Sequence, residues 1–437
     1  MTVYPDQASR SARLYERARR VMPSGNSRQT IFFKPYPVYA HHAHGCRVTD
    51  EDGVERIDFL NNYTALIHGH GHPAVMDAAH AQLHRLTAVA LPTEAEIELA
   101  ELLVDRLAGV EQLRFTNSGT EAVMMAIKAA RAYTGRPKIA KIEGAYHGGY
   151  DHAEVSQSSG APAWGEVTQP RSVANYAGQP EGVLNDVIVL PWNDVAAARA
   201  LLEAHGADLA AVLIDPIPSR LGLVPIADDY LAMLREMTRK IGALFILDEV
   251  YCLRLGYHGA QGRWGFAPDL TTMAKIIGGG FPVGAVGGRA DVMAVFGFDD
   301  GTPKVPHGGT YNANPVTMAA GLAAMRLLTP DAFVHLRGLG DRLRTGLREC
   351  LAIAGREGQV QGVESLAMLS LSDRPFGGYR DIVYAAGFGE QQVAVHRHLL
   401  NHGVLTAPTL IFNLSTPMGV AEVDFTLDQI LAALRAL

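Results

Sequence analysis

The sequence predicts an α/β protein in which helices cover both faces of a mostly parallel central sheet, with a smaller α+β domain attached. Between residues 113 and 288, short apolar runs alternate with segments that carry apolar residues at helical spacing. The apolar runs are continuous rather than alternating, as expected for parallel strands that are buried on both faces. With 437 residues, of which 48% are hydrophobic, the chain is long enough to bury a large core.

The elements follow in a regular order along the chain. A helix is predicted at residues 12–22, and segments of alternating polarity at 37–60 predict a small antiparallel sheet. Amphipathic stretches after residue 73 predict two helices. Strands are then expected at 113–116, 138–143, 187–191, 210–216, 243–250, 270–275 and 283–288, with helices at 120–134, 194–205 and 228–241.

Two features complete the organisation. Residues 151–182 are rich in polar residues and glycine without periodicity, which is typical of a functional or mobile loop. Helices and short strands after about residue 325 predict the smaller domain. The expected division is therefore an N-terminal segment 1–60 that joins the small domain, a large domain 61–324 and a small domain 325–437.

Composition and charge exclude several classes of protein. The formal net charge is −7, and the charged residues are spread along the chain without a long run of one sign. This distribution argues against a nucleic-acid interface or a basic membrane-surface helix. No apolar stretch is long enough for a membrane span, and the polar N-terminus lacks the apolar core of a secretory signal. A cytoplasmic protein is expected.

Metal and disulfide frameworks are not predicted. The three cysteines lie far apart along the chain. Histidines are clustered at 41–44 and 68–72, but both runs lie in turn-like segments without a frame of cysteine or carboxylate ligands.

The first motif that carries chemistry is Ser118-Gly119-Thr120, at the junction of a predicted strand and helix. Small residues at a helix N-terminus expose backbone N–H groups, and the helix dipole favours an anion there. These three residues are therefore candidates to bind a phosphate. Taken alone, the motif is also typical of an ordinary helix cap.

Two further motifs follow predicted strands. Tyr146 stands beside glycines, where its ring could stack on a flat ligand or belong to the core. Asp248 ends a strongly apolar strand, where a buried carboxylate is costly unless it is paired. A protonated pyridine nitrogen would be a suitable partner. A structural acid or a metal ligand at the strand end is the alternative.

Lys275 follows the next apolar strand and precedes three glycines. Partial desolvation favours the neutral, nucleophilic amine, and glycines let a ligand approach the backbone. A lone lysine is more often a surface charge. Open α/β sheets bind ligands at the carboxyl ends of their strands, so Lys275 and Asp248 are expected to face one pocket.

Together these motifs describe the requirements of an aldehyde cofactor. Such a cofactor needs an amine to hold it, an acid to protonate its ring and a cradle for its phosphate. The bound ring then accepts electrons from a carbanion.

The motifs lie in longer stretches that resemble class III pyridoxal-phosphate (PLP)-dependent aminotransferases of fold type I, in the branch of glutamate-1-semialdehyde aminomutase. The resemblance runs from about residue 20 to the C-terminus. Its most specific stretches are FTNSGTEA, GAYHGG, LDEV, PDLTTMAKIIGGGFPVGAVGGR and HGGTYNANPVTMAAG. It implies that Lys275 is the Schiff-base lysine for PLP and that Asp248 contacts the pyridine nitrogen.

The resemblance also implies the other cofactor contacts. Cofactor contacts are implied for Tyr146, His147 and Val250, with Tyr146 and Val250 on opposite faces of the ring. Phosphate contacts are implied for Ser118, Gly119 and Thr120. Family members are homodimers with active sites at the interface, so Thr310 is expected to reach the phosphate of the neighbouring subunit.

The stretch MPSGNSR at residues 22–28 is most similar to β-amino-acid (β-phenylalanine-type) aminotransferases. The resemblance implies that Arg28 binds the substrate carboxylate, because a guanidinium can donate two parallel hydrogen bonds to it. A surface arginine is the alternative. Tyr63 is expected to line the substrate pocket.

Three departures from the family pattern bear on specificity. Asp215-Pro216 stands where the family has Glu-Pro. Arg220 replaces a small or amide residue and is a candidate second contact for the substrate carboxylate or a contact for the cofactor ring, unless it faces solvent. Residues 406–411 lack the arginine that β-phenylalanine enzymes use for the acceptor, so a preference for 2-oxoglutarate does not follow.

The leading hypothesis is transamination, in which a β-amino acid or a related carboxylate-bearing amine gives its amino group to a keto acid. Lys275 would transfer the proton as general base and acid. A PLP-dependent aminomutase or amino-acid epimerase is the alternative, because these enzymes share the first steps. A non-catalytic PLP-fold scaffold protein is disfavoured by the intact lysine, aspartate and phosphate motif.

Overall fold

The computed structural model describes residues 3–299, 301–385 and 389–437. Its strands are, in chain order, β1 (Ala40–His44), β2 (Arg47–Asp50), β3 (Glu55–Asp58), β4 (Gln112–Thr116), β5 (Lys138–Ile142), β6 (Val187–Leu190), β7 (Leu209–Ile214), β8 (Leu244–Asp248), β9 (Leu270–Ala274), β10 (Gly284–Gly288), β11 (Gln359–Gln361), β12 (Leu366–Ser370), β13 (Val404–Leu405) and β14 (Ile411–Asn413).

The α-helices, in chain order, are α1 (Arg10–Ala18), α2 (Pro73–Arg85), α3 (Glu94–Arg106), α4 (Gly119–Thr134), α5 (Asp151–Glu154), α6 (Glu181–Asn185), α7 (Val195–His205), α8 (Asp228–Ile241), α9 (Gly259–Trp264), α10 (Ala290–Met293), α11 (Pro315–Leu327), α12 (Pro330–Ala354), α13 (Tyr379–Ala385), α14 (Gly389–Asn401) and α15 (Val420–Ala436). Helix α1 starts earlier than predicted because Ser9 caps it, its Oγ accepting a hydrogen bond from the Ala12 amide at 3.1 Å.

The chain divides into two compact units. The larger unit comprises residues 74–333 together with 376–384, and the smaller unit comprises 1–73, 334–375 and 385–437. These changeover points differ from the expected division at residues 60 and 324. The short segment 376–384 lies within the predicted small domain by sequence, yet it belongs to the larger unit.

The larger unit is built on a seven-stranded sheet in the order β4-β10-β9-β8-β7-β5-β6. Strand β10 is antiparallel to both of its neighbours, and the other pairings are parallel, as predicted. Every residue of β7 and β8 is buried, which explains their continuous apolar sequence. Helix α4 packs against β9 and β10, and α8 packs against β7 and β8.

The smaller unit contains two sheets. Strands β1, β2 and β3 form the predicted antiparallel sheet, and β13 adds to β3 in parallel. Strands β11, β12 and β14 form a second, antiparallel sheet. Within the described part of the chain, no helix combines the length and the apolar character that crossing a membrane would require.

Candidate active site

The ends of three strands meet at one edge of the seven-stranded sheet. Gly284, the first residue of β10, is paired with Thr116 of β4 on one side and with Ala274 of β9 on the other. On β8, Asp248 is paired with Thr272 of β9. Because β4, β8 and β9 run in the same direction, the residues that follow them converge at this edge.

Lys275 directly follows β9 and opens a short 3₁₀ turn, Lys275–Gly278. Its φ of 54° lies in the left-handed region, which is costly for a residue with a Cβ. Its Nζ atom lies 5.7 Å from the centroid of the Tyr251 ring. The surrounding structure therefore holds the Lys275 backbone in an unusual conformation, which sets the direction of its side chain. The contact between Lys275 and Tyr251 was not predicted from the sequence.

The Asp248 carboxylate is buried and held by three donors of the larger unit. His147 Nδ1 lies 2.7 Å from Oδ2. The Thr272 hydroxyl and the Val250 amide donate to Oδ1 at 2.9 and 3.1 Å. These contacts fix the direction of the carboxylate group. Thr272 was missed by sequence reasoning, although its position three residues before Lys275 on a strand was available as a signal.

His147 is buried, and burial lowers the pKa of its imidazole, although the bond to Asp248 opposes that shift. Because a carboxylate oxygen accepts the hydrogen bond, Nδ1 carries the proton of the neutral ring. Its Nε2 atom is buried and has no hydrogen-bond partner within the described residues. His147 is thus arranged to orient Asp248.

A second buried carboxyl group lies beside Asp248. Asp215 follows β7, and burial raises the pKa of its carboxyl group to about 8, with a further contribution from Asp248. Asp215 is therefore largely protonated at neutral pH. The sequence identified Asp215 only as a departure from the Glu-Pro pattern and did not predict this neutral acid.

The segment Ser118-Gly119-Thr120 forms the N-terminus of α4. Ser118 is the cap, and its Oγ accepts a hydrogen bond from the Glu121 amide at 3.2 Å. A Cβ atom added at Gly119 would lie 3.0 Å from a methyl group of Val250 and 3.4 Å from Ala274. The helix N-terminus therefore packs directly on the residues that flank Asp248 and Lys275. Its first N–H groups have no partner within the helix itself, which suits an anion.

The segment after β5 approaches the same helix end. The Gly149 amide donates to Thr120 Oγ1 at 3.2 Å. Gly148 has a φ of 90°, and a Cβ there would lie 2.5 Å from Thr120 Oγ1, so no other residue fits without a shift. The side chain of Tyr146 is 50% exposed, which leaves its ring accessible to a ligand.

The residues predicted to contact substrate fall into two groups. Arg28 and Tyr63 lie together in the smaller unit, where Arg28 Nη1 donates to Asn62 Oδ1 at 2.6 Å and its guanidinium lies 5.7 Å from the Tyr63 ring centroid. Arg220 is exposed on the larger unit, where its Nη2 donates to Ser158 Oγ at 2.8 Å. Thr310 is exposed.

Comparison with known proteins identifies the family. Residues 33–403 match the family described as Aminotransferase class-III. The chain is a class III aminotransferase. It is 53% identical to an omega-transaminase from Sphaerobacter thermophilus, with a TM-score of 0.97 over 100% of this chain and 99% of that one.

Two relatives of this class III aminotransferase are named for different activities. A β-phenylalanine transaminase from Variovorax paradoxus is 37% identical over 422 residues, 96% of this chain and 92% of its own. A glutamate-1-semialdehyde 2,1-aminomutase from Ignicoccus hospitalis is 38% identical over 434 residues, 98% of this chain and 99% of its own. The predicted family and fold are confirmed, and family membership favours an enzyme over a non-catalytic scaffold protein.

Class III aminotransferases use PLP, and PLP is the cofactor of this chain. The donor set at the sheet edge fits the group. The N-terminus of α4 can hold a phosphate, the buried Asp248 can face a ring nitrogen, and Lys275 supplies an amine directly after the adjacent strand β9. Gly119 and Gly148 keep side chains out of the space between these segments.

Proposed function

We propose that this enzyme transfers the amino group of a carboxylate-bearing amine, of the β-amino-acid class, to a keto acid. The observation that carries the proposal is the convergence of four segments at one sheet edge, through Gly119, Gly148, Asp248 and Ala274-Lys275. When bound, PLP supplies an electron sink for the carbon that loses its proton.

The residues of this chain divide the remaining tasks. Lys275 Nζ holds the cofactor and, once the donor amine has displaced it, takes and returns the proton as general base and acid. Asp248 keeps the ring nitrogen protonated, with His147 and Thr272 fixing its carboxylate.

The other cofactor contacts are proposed as follows. Ser118, Gly119 and Thr120 hold the phosphate at the N-terminus of α4, and Tyr146 and Val250 pack on the ring.

Arg28 and Arg220 are each proposed as a contact for the substrate carboxylate. The similarity to the β-phenylalanine transaminase supports this substrate class. Arg28 is held by Asn62 and Tyr63, and Arg220 by Ser158, so both guanidinium groups are ordered and exposed. A carboxylate suits such groups because it accepts parallel hydrogen bonds. Residues 406–411 contain no arginine, so no preference for 2-oxoglutarate is proposed.

An aminomutase is the second candidate, favoured by the 38% identity to the glutamate-1-semialdehyde aminomutase over nearly the whole chain. A homodimer completed by Thr310 and a cytoplasmic location remain predictions.

One incubation separates the two functions. The holoenzyme is given α- and β-amino acids of both configurations, each with pyruvate, with 2-oxoglutarate and with no acceptor. Turnover of a β-amino acid that requires a keto acid supports the proposal. Migration of the amino group to another carbon without an acceptor would establish the aminomutase instead.

A further inference from the structure

Several backbone carbonyl groups of the segment 155–166, called here the wall loop, accept hydrogen bonds from side chains elsewhere in the larger unit. The fully buried Lys141 donates from Nζ to the Val155 carbonyl at 2.9 Å. The Tyr379 hydroxyl donates to the Ser159 carbonyl at 2.9 Å. A stretch that sequence alone indicated to be functional or mobile is thus fixed at several points. Tyr379 belongs to the segment 376–384, which returns to this unit from the C-terminal part of the chain.

Arg380 makes the densest set of these contacts. Its guanidinium donates to the carbonyls of Trp164, Gly165 and Glu166 at 3.2, 3.1 and 3.0 Å. The same group forms an ion pair with Glu143, Nε to Oε2 at 3.0 Å, and lies 5.2 Å from the Trp164 ring centroid. All three nitrogens of the guanidinium therefore donate hydrogen bonds. Such a set is typical of an arginine that holds several segments together and not of a solvated surface charge.

Tyr379 is fitted just as closely. A Cβ added at Gly144 would lie 2.1 Å from the Tyr379 ring, so only glycine allows this packing next to Glu143. Burial raises the pKa of the Tyr379 phenol, which therefore stays protonated and remains a donor. The pair Tyr379 and Arg380 thus joins the end of β5 to both halves of the wall loop.

The wall loop carries the hydroxyl that orders Arg220. Ser158 stands next to Ser159, and its Oγ accepts the hydrogen bond from Arg220 Nη2 at 2.8 Å. Both side chains are exposed, so Arg220 would otherwise sample many rotamers, and ordering it has an entropic cost. The position of Ser158 limits that sampling only if its own backbone is fixed, and Tyr379 fixes the adjacent carbonyl.

We propose that Tyr379 and Arg380 are positioning residues that hold Ser158 against Arg220 and thereby set the selectivity of the enzyme for carboxylate-bearing donors. The inference rests on the proposed role of Arg220. It assigns a specificity function to a C-terminal segment that contains no residue of the cofactor site.

The test compares two donors that differ only in the carboxylate. The holoenzyme is assayed with β-phenylalanine and with 1-phenylethylamine, its analogue without the carboxyl group. Tyr379→Phe, which removes one hydroxyl, and Ser158→Ala are expected to raise KM for β-phenylalanine about 5- to 10-fold, the effect of roughly one hydrogen bond. The value of kcat, and both constants for 1-phenylethylamine, should stay within about twofold. Arg380→Met should act in the same direction.

The control is Arg342→Met, which breaks a bidentate pair with Asp424 on the surface of the smaller unit and should leave the ratio of the two donors unchanged. In an Arg220→Met background, Tyr379→Phe should not change the ratio of the KM values for the two donors any further, because Tyr379 acts through Arg220. Equal losses with both donors, or no change in Tyr379→Phe, would overturn the inference. If Arg220→Met itself leaves the ratio unchanged, the proposed role of Arg220 is what fails.

Discussion

His147 Nδ1 lies 2.7 Å from Asp248 Oδ2, and both side chains are buried in the larger unit. The two residues come from different segments, one after β5 and one at the end of β8. A neutral imidazole that donates one hydrogen bond to the carboxylate fixes its orientation, so the remaining lone pairs of Asp248 point in a defined direction. This pair, together with Thr272, sets the direction of the acid in the proposed PLP site.

Weakening this arrangement should weaken PLP binding. Thr272→Val removes the hydroxyl that donates to Asp248 Oδ1 at 2.9 Å while keeping the shape of the side chain. We expect the dissociation constant of PLP to rise about 10-fold, as for the loss of one hydrogen bond to a charged group, and His147→Ala to have at least this effect. Titration of the apoenzyme with PLP measures both.

Thr271 provides the matched control. It lies on the same strand and is buried, but its hydroxyl faces Gln261 rather than Asp248. Thr271→Val should leave the dissociation constant near the wild-type value. An equal rise in both threonine variants would show that general packing, and not the orientation of Asp248, is responsible.

The capping residue of α4 should contribute to phosphate binding in addition to stabilising the helix. Ser118→Ala and Ser9→Ala each remove a capping oxygen, from α4 and α1. Each should cost about 0.5–2 kcal/mol of stability. Only Ser118→Ala is expected to weaken PLP binding as well. Thermal unfolding and PLP titration of the two variants test the difference, and similar affinities for PLP would show that the Ser118 hydroxyl does not contribute to phosphate binding.

The free energy of unfolding should fall as the pH rises, because folding raises the pKa of Asp215. Its pKa is raised from 3.8 to about 8 in the folded chain, so the folded state keeps a proton that the unfolded state has already released. The stabilisation is complete below pH 3.8 and is lost as the pH rises through about 8. Asp215→Asn mimics the neutral acid and lacks this dependence.

The corresponding measurement is the melting temperature of the holoenzyme and of Asp215→Asn from about pH 5 to about pH 8, within the interval from 3.8 to about 8 over which this stabilisation is lost. Wild type should lose more stability than the variant across this window. A constant difference between the two proteins would mean that folding does not raise the pKa of Asp215 into this window.

The fold and the cofactor segments were largely predictable from sequence, for physical reasons. Parallel strands are buried and continuous in apolar residues, so β7, β8 and β9 are visible, and the residues that end them must share an edge. That rule places Asp248 and Lys275 at one edge, whereas their roles toward the cofactor are implied by the resemblance to class III aminotransferases.

Other parts of the site depend on contacts that no local pattern encodes. Arg380 bonds to Glu143 across 237 residues, and Asp215 is neutral only because of its surroundings in three dimensions. The segment 376–384 was expected in the small domain, because nothing in its sequence marks its return to the larger unit.

The identity of the lysine that holds the cofactor is the point on which the proposed mechanism depends. Lys141 is the natural rival, because it is fully buried and burial lowers its pKa to about 7. Its Nζ, however, donates to the Ile142 and Val155 carbonyls at 3.1 and 2.9 Å. Those hydrogen bonds tie the Lys141 amine to the backbone at the end of β5 and at the start of the wall loop.

Borohydride reduction of the holoenzyme, followed by peptide mass spectrometry, distinguishes the two lysines. The cofactor mass should be found on Lys275, and Lys275→Ala should lose both the label and at least about 100-fold of the turnover, since a general acid–base group is removed. A label on Lys141, or normal turnover by Lys275→Ala, would contradict the proposed mechanism.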